Sequence, residues 1–284
     1  MKKNGKLQGL LRTIGEYALS VGVFIALWWI YVAVKHVPAY ILPSPPKVWS
    51  SLVKMFVKGT VYAHLWTTTY EVILGFVIGA FLGIVLGYVF IKIDALKTML
   101  MPYLIFLQTA PKIALVPLFV VWFGIGLVSK VVLIISMVLF PVLSGMMLGL
   151  ESIPPDVRNL MKILKASKWQ VFSQVEMQYS LPALFASLKV GIVQAVIGAI
   201  VAEWMSGKQG LGYILTYASS TYDTPMLLAG IIVTIILGIV GAVVGGWIST
   251  LFGFGRVDGF NFGSFVVAVI GALVVLFIYR KIKS

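Results

Sequence analysis

Apolar runs of about 20 residues, the length at which an α-helix crosses a ~30 Å hydrocarbon core, alternate with shorter polar stretches along most of the chain. The pattern predicts spans near residues 17–35, 68–91, 99–122, 128–150, 181–204 and 226–249, and the apolar run Ser264–Tyr279, ahead of RKIKS, makes a seventh. The expected fold class is therefore an all-α polytopic membrane protein with six core spans plus a seventh, C-terminal span. The second span carries Gly75, Gly79, Gly83 and Gly87 at every fourth position, a smooth stripe along which another helix can approach closely. The third is interrupted by Pro102, Gln108, Thr109, Pro111, Lys112 and Pro117, and such breaks are tolerated at membrane depth only where protein or a watery cavity satisfies the freed backbone.

The connections differ in character. Prolines stop the chain after the first span, and Val48, Leu52, Met55 and Phe56 then fall at helical spacing, which predicts a loop followed by a surface helix. The stretch SGKQGLGYILTYASSTYDTP reads as a loop before the sixth span. Residues 151–180 are the long hydrophilic segment. Within them Leu160, Ile163, Leu164, Val171, Phe172 and Val175 alternate with Lys162, Lys165, Lys168, Gln170, Ser173 and Gln174, the pattern of an amphipathic helix over 156–176. Periodicity leaves two readings open: a helix lying on the leaflet with its lysines at the headgroups, or one presenting a face to a soluble partner.

Composition narrows the chemistry. The net charge is +13, yet much of the Lys and Arg lies between apolar runs, where it serves topology and anionic headgroups, so nucleic acid is not an expected partner. There is no Cys, and His36 and His64 have no acidic cluster beside them, so thiol chemistry is excluded and a metal or catalytic site has little material. The basic start MKKNGKLQGLLR leads into an apolar run without an A-x-A-like end, an uncleaved first span rather than a signal peptide. The Lys and Arg bias favours a cytoplasmic N-terminus, with Arg280, Lys281 and Lys283 opposing it by lying outside if the seventh span forms. No second copy of the span pattern is visible, which disfavours a repeat-built secondary carrier.

The stretch ILKASKWQVFSQVEMQYSLPALFASLKVG resembles the cytoplasmic coupling loop of ABC importer permeases, nearest the nitrate, sulfonate and taurine type. LPSPPKVWSSL, LWTTTYEVILGFVIGAFLGIVLG, APKIALVPLFVVWFGIGLVSK and IVAEWMSGKQGLGYIL follow that branch in its order, so the resemblance covers about residues 18–226. The family's loop begins Glu-Ala-Ala, has a Gly four residues later and ends in one or two Pro. Here Asn159, Leu160 and Met161 stand for the first three, Lys165 for the Gly and Gln178 for the first Pro, while Ala166, Ser167 and Pro182 are kept.

The resemblance implies a type I ABC importer permease-like helical bundle over 17–226, a cytoplasmic segment at 1–16, and a coupling helix at 156–176. The ATPase-coupling residues would be Leu160, Ile163, Leu164, Ala166, Ser167, Trp169, Val171, Phe172, Val175 and Pro182. It further implies a multi-pass protein of the cell membrane and a second permease copy in the lipid bilayer. The other partners are a cytoplasmic ATPase dimer that carries ATP and Mg, and an extracytoplasmic solute-binding protein. The chain itself is expected to bind no cofactor and catalyse nothing. Its Gly207-Lys208 pair is followed by Gln209 and has Ala202 where a phosphate loop needs its first Gly.

Lys112, with Gln108 and Thr109 one turn away, could meet an anionic or heterocyclic solute, or could only reach polar backbone at the Pro111 break. Gln194 and Glu203 complete the candidate translocation path, although Glu203 could instead pair with Lys208 at the surface. Glu71 reads as an interfacial residue. From Gly230 the wording changes, and 227–284 forms a two-span segment resembling the small transglycosylase-associated membrane proteins. That leaves a structural or stress-related membrane protein acting through its C-terminal module as a second class of function, with an independent carrier as a third.

Overall fold

The computed structural model describes residues 2–251, all helix, turn and connection. The seventh span, the basic tail and its side of the membrane, and most of the two-span segment 227–284 lie outside the described residues. Among the described residues, four helices are long and apolar enough to cross a membrane: α3 (Thr60–Lys92), α6 (Leu127–Glu151), the continuous helix Lys168–Met205, and residues Thr224–Gly241 of α11 (Thr224–Leu251). Helix α1 (Lys2–Val34) carries the shorter apolar stretch Leu19–Val34, so the segment predicted as a separate N-terminal piece runs on into the first span.

The predicted surface helix is α2 (Pro45–Val57), which opens with Pro45 and Pro46, residues whose missing N–H costs nothing in a first turn, and buries Val48 and Met55. The predicted third span is two pieces. α4 (Asp94–Thr109) ends at Ala110-Pro111, a 3-10 turn spans Lys112–Leu115, and α5 (Val116–Phe123) follows. Proline disfavours helical geometry at the residue before it, which is why the break falls at Ala110. The stretch read as a loop before the sixth span contains α10 (Leu211–Ser220). It buries Leu211, Ile214, Leu215 and Ala218, a spacing of i, i+3, i+4 and i+7 that marks one helix face.

The chain divides into two compact units. Residues 1–66 and 209–234 form one, in which α1 touches α2, the Thr224 hydroxyl donates to the Tyr40 carbonyl at 2.6 Å, and the Gly210 N–H donates to His64 Nδ1 at 3.0 Å. The described residues of 67–208 and 235–251 form the other, centred on α6. A methyl group at Gly83 or Gly87 would sit 2.8 Å from a carbonyl oxygen of α6, so the glycine stripe is what brings the α3 backbone against α6. Gly145 and Gly149 on the other side of α6 meet Ser187 and Ser180 of α9 (Met177–Ser206) in the same way.

Candidate functional site

The hydrophilic segment is two helices. α7 (Pro155–Ile163) stops where Lys165 takes a left-handed φ of 50°, and a new start follows at Ser167. Ser167 Oγ accepts from the Gln170 N–H while the Gln170 side chain accepts from the Ser167 N–H, a reciprocal capping box that opens α8 (Lys168–Gln170). The chain then passes through a π-helical stretch, Val171–Glu176, into α9. The single amphipathic helix expected over 156–176 is therefore corrected: its second half is the root of a membrane span. Lys165 occupies the place where the resembled loop has Gly, and a residue without Cβ adopts that conformation without strain.

The break sorts the predicted coupling residues. Leu160, Ile163, Leu164 and Trp169 stand exposed around the turn, Ile163 at 77% and Trp169 at 71%. Ala166 and Val171 are half-buried and Val175 is buried, all three lining a cavity of about 390 Å³ with Lys92, Arg158 and Glu176. Phe172 packs edge-on against Tyr88 at 5.5 Å and against Trp169 at 5.6 Å. Pro182 lies exposed within α9.

What holds this loop to the bundle was not read from the sequence. Glu176 accepts from Lys92 Nζ at 2.5 Å and from the Tyr88 hydroxyl at 3.0 Å, tying the π-helical root of α9 to the end of α3. Arg158 donates to the Leu150 carbonyl at 2.8 Å, and Lys97 pairs with Glu151 at 2.9 Å. Lys92, Tyr88 and Glu176 gave no local signal, because their partners are more than 80 residues away.

The candidate path residues are less gathered. Lys112 is half-buried in the 3-10 turn, Gln108 and Thr109 are exposed just before it, and the Thr109 hydroxyl donates to the Phe106 carbonyl at 3.0 Å. Val116, one turn beyond Lys112, packs with Val201 and Ala202, which places the break beside the Glu203 end of α9. Gln194 lies about 13 Å from Glu203 along that helix at 1.5 Å per residue.

Glu203 is 1% exposed, so a surface pairing with Lys208 is not its environment; it accepts from the Thr68 hydroxyl at 2.6 Å. Glu71 is not an exposed interfacial residue either. It is 2% exposed and its Oε1 accepts from Lys130 Nζ at 2.6 Å, Lys130 being itself 6% exposed. About 32 Å of helix, at 1.5 Å per residue, separates Glu71 from Lys92, so the bundle carries a polar cluster toward each end of α3.

Residues 75–255 match the family described as binding-protein-dependent transport system inner membrane component, and residues 235–284 match the family described as transglycosylase associated protein. A Haemophilus influenzae protein named "Probable ABC transporter permease protein" is 31% identical over 71% of this chain and 82% of its own. The riboflavin transport system permease protein of Chloroflexus aurantiacus is 30% identical over 70% of this chain and 75% of its own. The taurine transport system permease protein of Escherichia coli is 27% identical over 72% and 77%.

Proposed function

The chain belongs to the family of binding-protein-dependent transport inner-membrane components, the non-catalytic permease subunits of ABC transporters, and on that premise we propose that it carries a small solute inward when ATPase subunits dock on the α7–α8 turn. The observation that supports this reading is the exposed apolar crown of Leu160, Ile163, Leu164 and Trp169 on an otherwise polar loop. Contiguous exposed apolar side chains mark a surface that another molecule covers. A helix lying along a leaflet would keep one apolar face in line. The left-handed turn at Lys165 instead ends that line between Leu164 and Trp169, so the four apolar side chains stand on either side of a bend, which we read as a knob for a partner's socket.

The tie from Glu176 to Lys92 and Tyr88 gives the knob a rigid connection to α3 and α9, so that a push on the turn moves two spanning helices together. ATP and Mg belong to the docked ATPase pair, the solute arrives from an extracytoplasmic binding protein, and a second copy of the permease completes the path, with the N-terminus cytoplasmic. The solute is anionic or heterocyclic. Lys112, at the break between α4 and α5 with Gln108 and Thr109 beside it, supplies a cation where the backbone is open, and half-buried Gln194 of α9 is the further candidate for the path, whereas the Glu203 carboxyl is closed off at 1% exposure. Relatives named for riboflavin and taurine transport fit that range.

The test is copurification. Leu164→Asp and Trp169→Asp place a carboxylate on the crown without touching the Glu176 tie; each is expected to insert normally and to lose the ATPase. A complex that survives both changes would return the segment to the leaflet surface.

A further inference from the structure

The cavity of about 390 Å³ behind the α7–α8 turn lies between that loop and the ends of α3 and α6, and its wall belongs to a single compact unit. Pockets that take small ligands enclose ~300–1,000 Å³. Its floor is apolar, formed by Leu150, Ile153 and Val175, all buried. Its charged lining is three cations, Lys92 from the end of α3 with Arg158 and Lys162 from α7, against the one carboxylate of Glu176. That carboxylate is already spent on Lys92 Nζ and the Tyr88 hydroxyl. Among the described residues, Arg158 and Lys162 pair with no carboxylate.

The two cations stand four residues apart on one face of α7, so their like charges repel. Arg158 is also held in place: one guanidinium nitrogen donates to the Leu150 carbonyl at 2.8 Å, which orients the rest of its donor fork. Such a fork matches a phosphate oxygen pair. A hydrated inorganic phosphate would shed water against the apolar floor and gain nothing there. A phospholipid brings its own apolar atoms to cover that floor. The position agrees, because α3 ends at Lys92 and α6 at Glu151, and basic pockets beside the ends of spanning helices are where anionic headgroups bind.

We infer that this cavity is a site for an anionic phospholipid, whose phosphate is bound by Arg158 and Lys162 while its glycerol end lies on Leu150, Ile153 and Val175. The lipid cancels the repulsion along α7 and bridges that helix to the end of α6, so it stiffens the loop from behind. Leu160, Ile163, Leu164 and Trp169 do not line the cavity, and the site is therefore independent of whatever docks at that crown.

Amide hydrogen exchange of the full chain in vesicles tests this. Exchange across residues 158–164 is expected to be several-fold slower in phosphatidylcholine mixed with phosphatidylglycerol than in phosphatidylcholine alone. Lys162→Gln should exchange like wild type in phosphatidylcholine, which shows an intact loop, and should lose most of the slowing by phosphatidylglycerol. Lys162→Arg should keep it, and so should Lys168→Gln, which removes a cation of the same loop from outside the cavity. Equal losses in Lys162→Gln and Lys168→Gln would reduce the effect to general surface charge and overturn the site. No slowing in the wild type would do the same. If inorganic phosphate or glycerol 3-phosphate, added to phosphatidylcholine vesicles, reproduces the full slowing, the ligand is a soluble phosphate and the assignment to a lipid falls.

Discussion

The Gly83→Ala and Gly87→Ala pair separates close helix approach from mere helix content, because the two effects have opposite sign. A Cβ at Gly83 would sit 2.8 Å from the Leu139 carbonyl oxygen, 2.9 Å from Val142 Cβ and 3.0 Å from the Leu143 nitrogen. At Gly87 it would sit 2.8 Å from the Leu143 carbonyl oxygen and 2.9 Å from Met146 Cβ. Comfortable contact begins near ~3.5 Å, so the helices must part by about 0.6 Å, and the nearest atoms belong to the backbone of α6, which cannot rotate away. Parting by that much forfeits roughly a third of each contact, and over some 40 seam contacts of ~0.15 kcal/mol the loss is about 2 kcal/mol.

Exchanging Gly for Ala in a helix favours the folded state by roughly 0.5 kcal/mol per site, so the two sites together offset about 1 kcal/mol of that loss. Overpacking costs of about 1–3 kcal/mol in well-packed cores are of the same order. The double variant should therefore be less stable than wild type by about 1 kcal/mol. Gly238→Ala and Gly22→Ala, where a Cβ would meet nothing within 4 Å, should be unchanged or more stable. Denaturant titration of the purified chain in detergent, followed by helicity, reads all four. If the stripe variant unfolds no earlier than the two controls, the glycines do not set the distance between α3 and α6.

Two further substitutions probe the functional ends. Lys165→Gly removes a side chain from a left-handed residue, a conformation that costs an L-residue roughly 1–2 kcal/mol, so the turn should tighten and amide exchange across residues 164–168 should slow; faster exchange would show that the lysine side chain holds the turn. Lys112→Met should leave assembly intact while reducing solute-stimulated ATP hydrolysis by the partner several-fold, and unchanged stimulation would remove Lys112 from the path.

Four of the predicted spans, those carried by α3, α6, α9 and α11, were legible because hydropathy and length are local properties that the bilayer reads directly. The glycine stripe and the break at Pro111 were legible for the same reason: each is written within one turn or two of chain. The capping box Ser167-x-x-Gln170 was also present in the sequence, and it marks the new helix start that a continuous amphipathic pattern concealed. The spacing of Leu211, Ile214, Leu215 and Ala218 likewise announced α10 inside a stretch rich in Gly and Ser.

The polar clusters had no such signature. Glu71 and Lys130 are 59 residues apart, Thr68 and Glu203 are 135 apart, and Lys92 and Glu176 are 84 apart. A lone Glu in an apolar run looks the same whether it meets water at an interface or a cation across a helix seam. The difference lies in which faces of α3, α6 and α9 are pressed together, and that is decided by glycine-mediated packing between helices rather than by any pattern along one of them. The sequence alone thus determined that the chain crosses a membrane as helices, while tertiary structure decided which of its few charges are buried together, because charge balance is a property of neighbours in space.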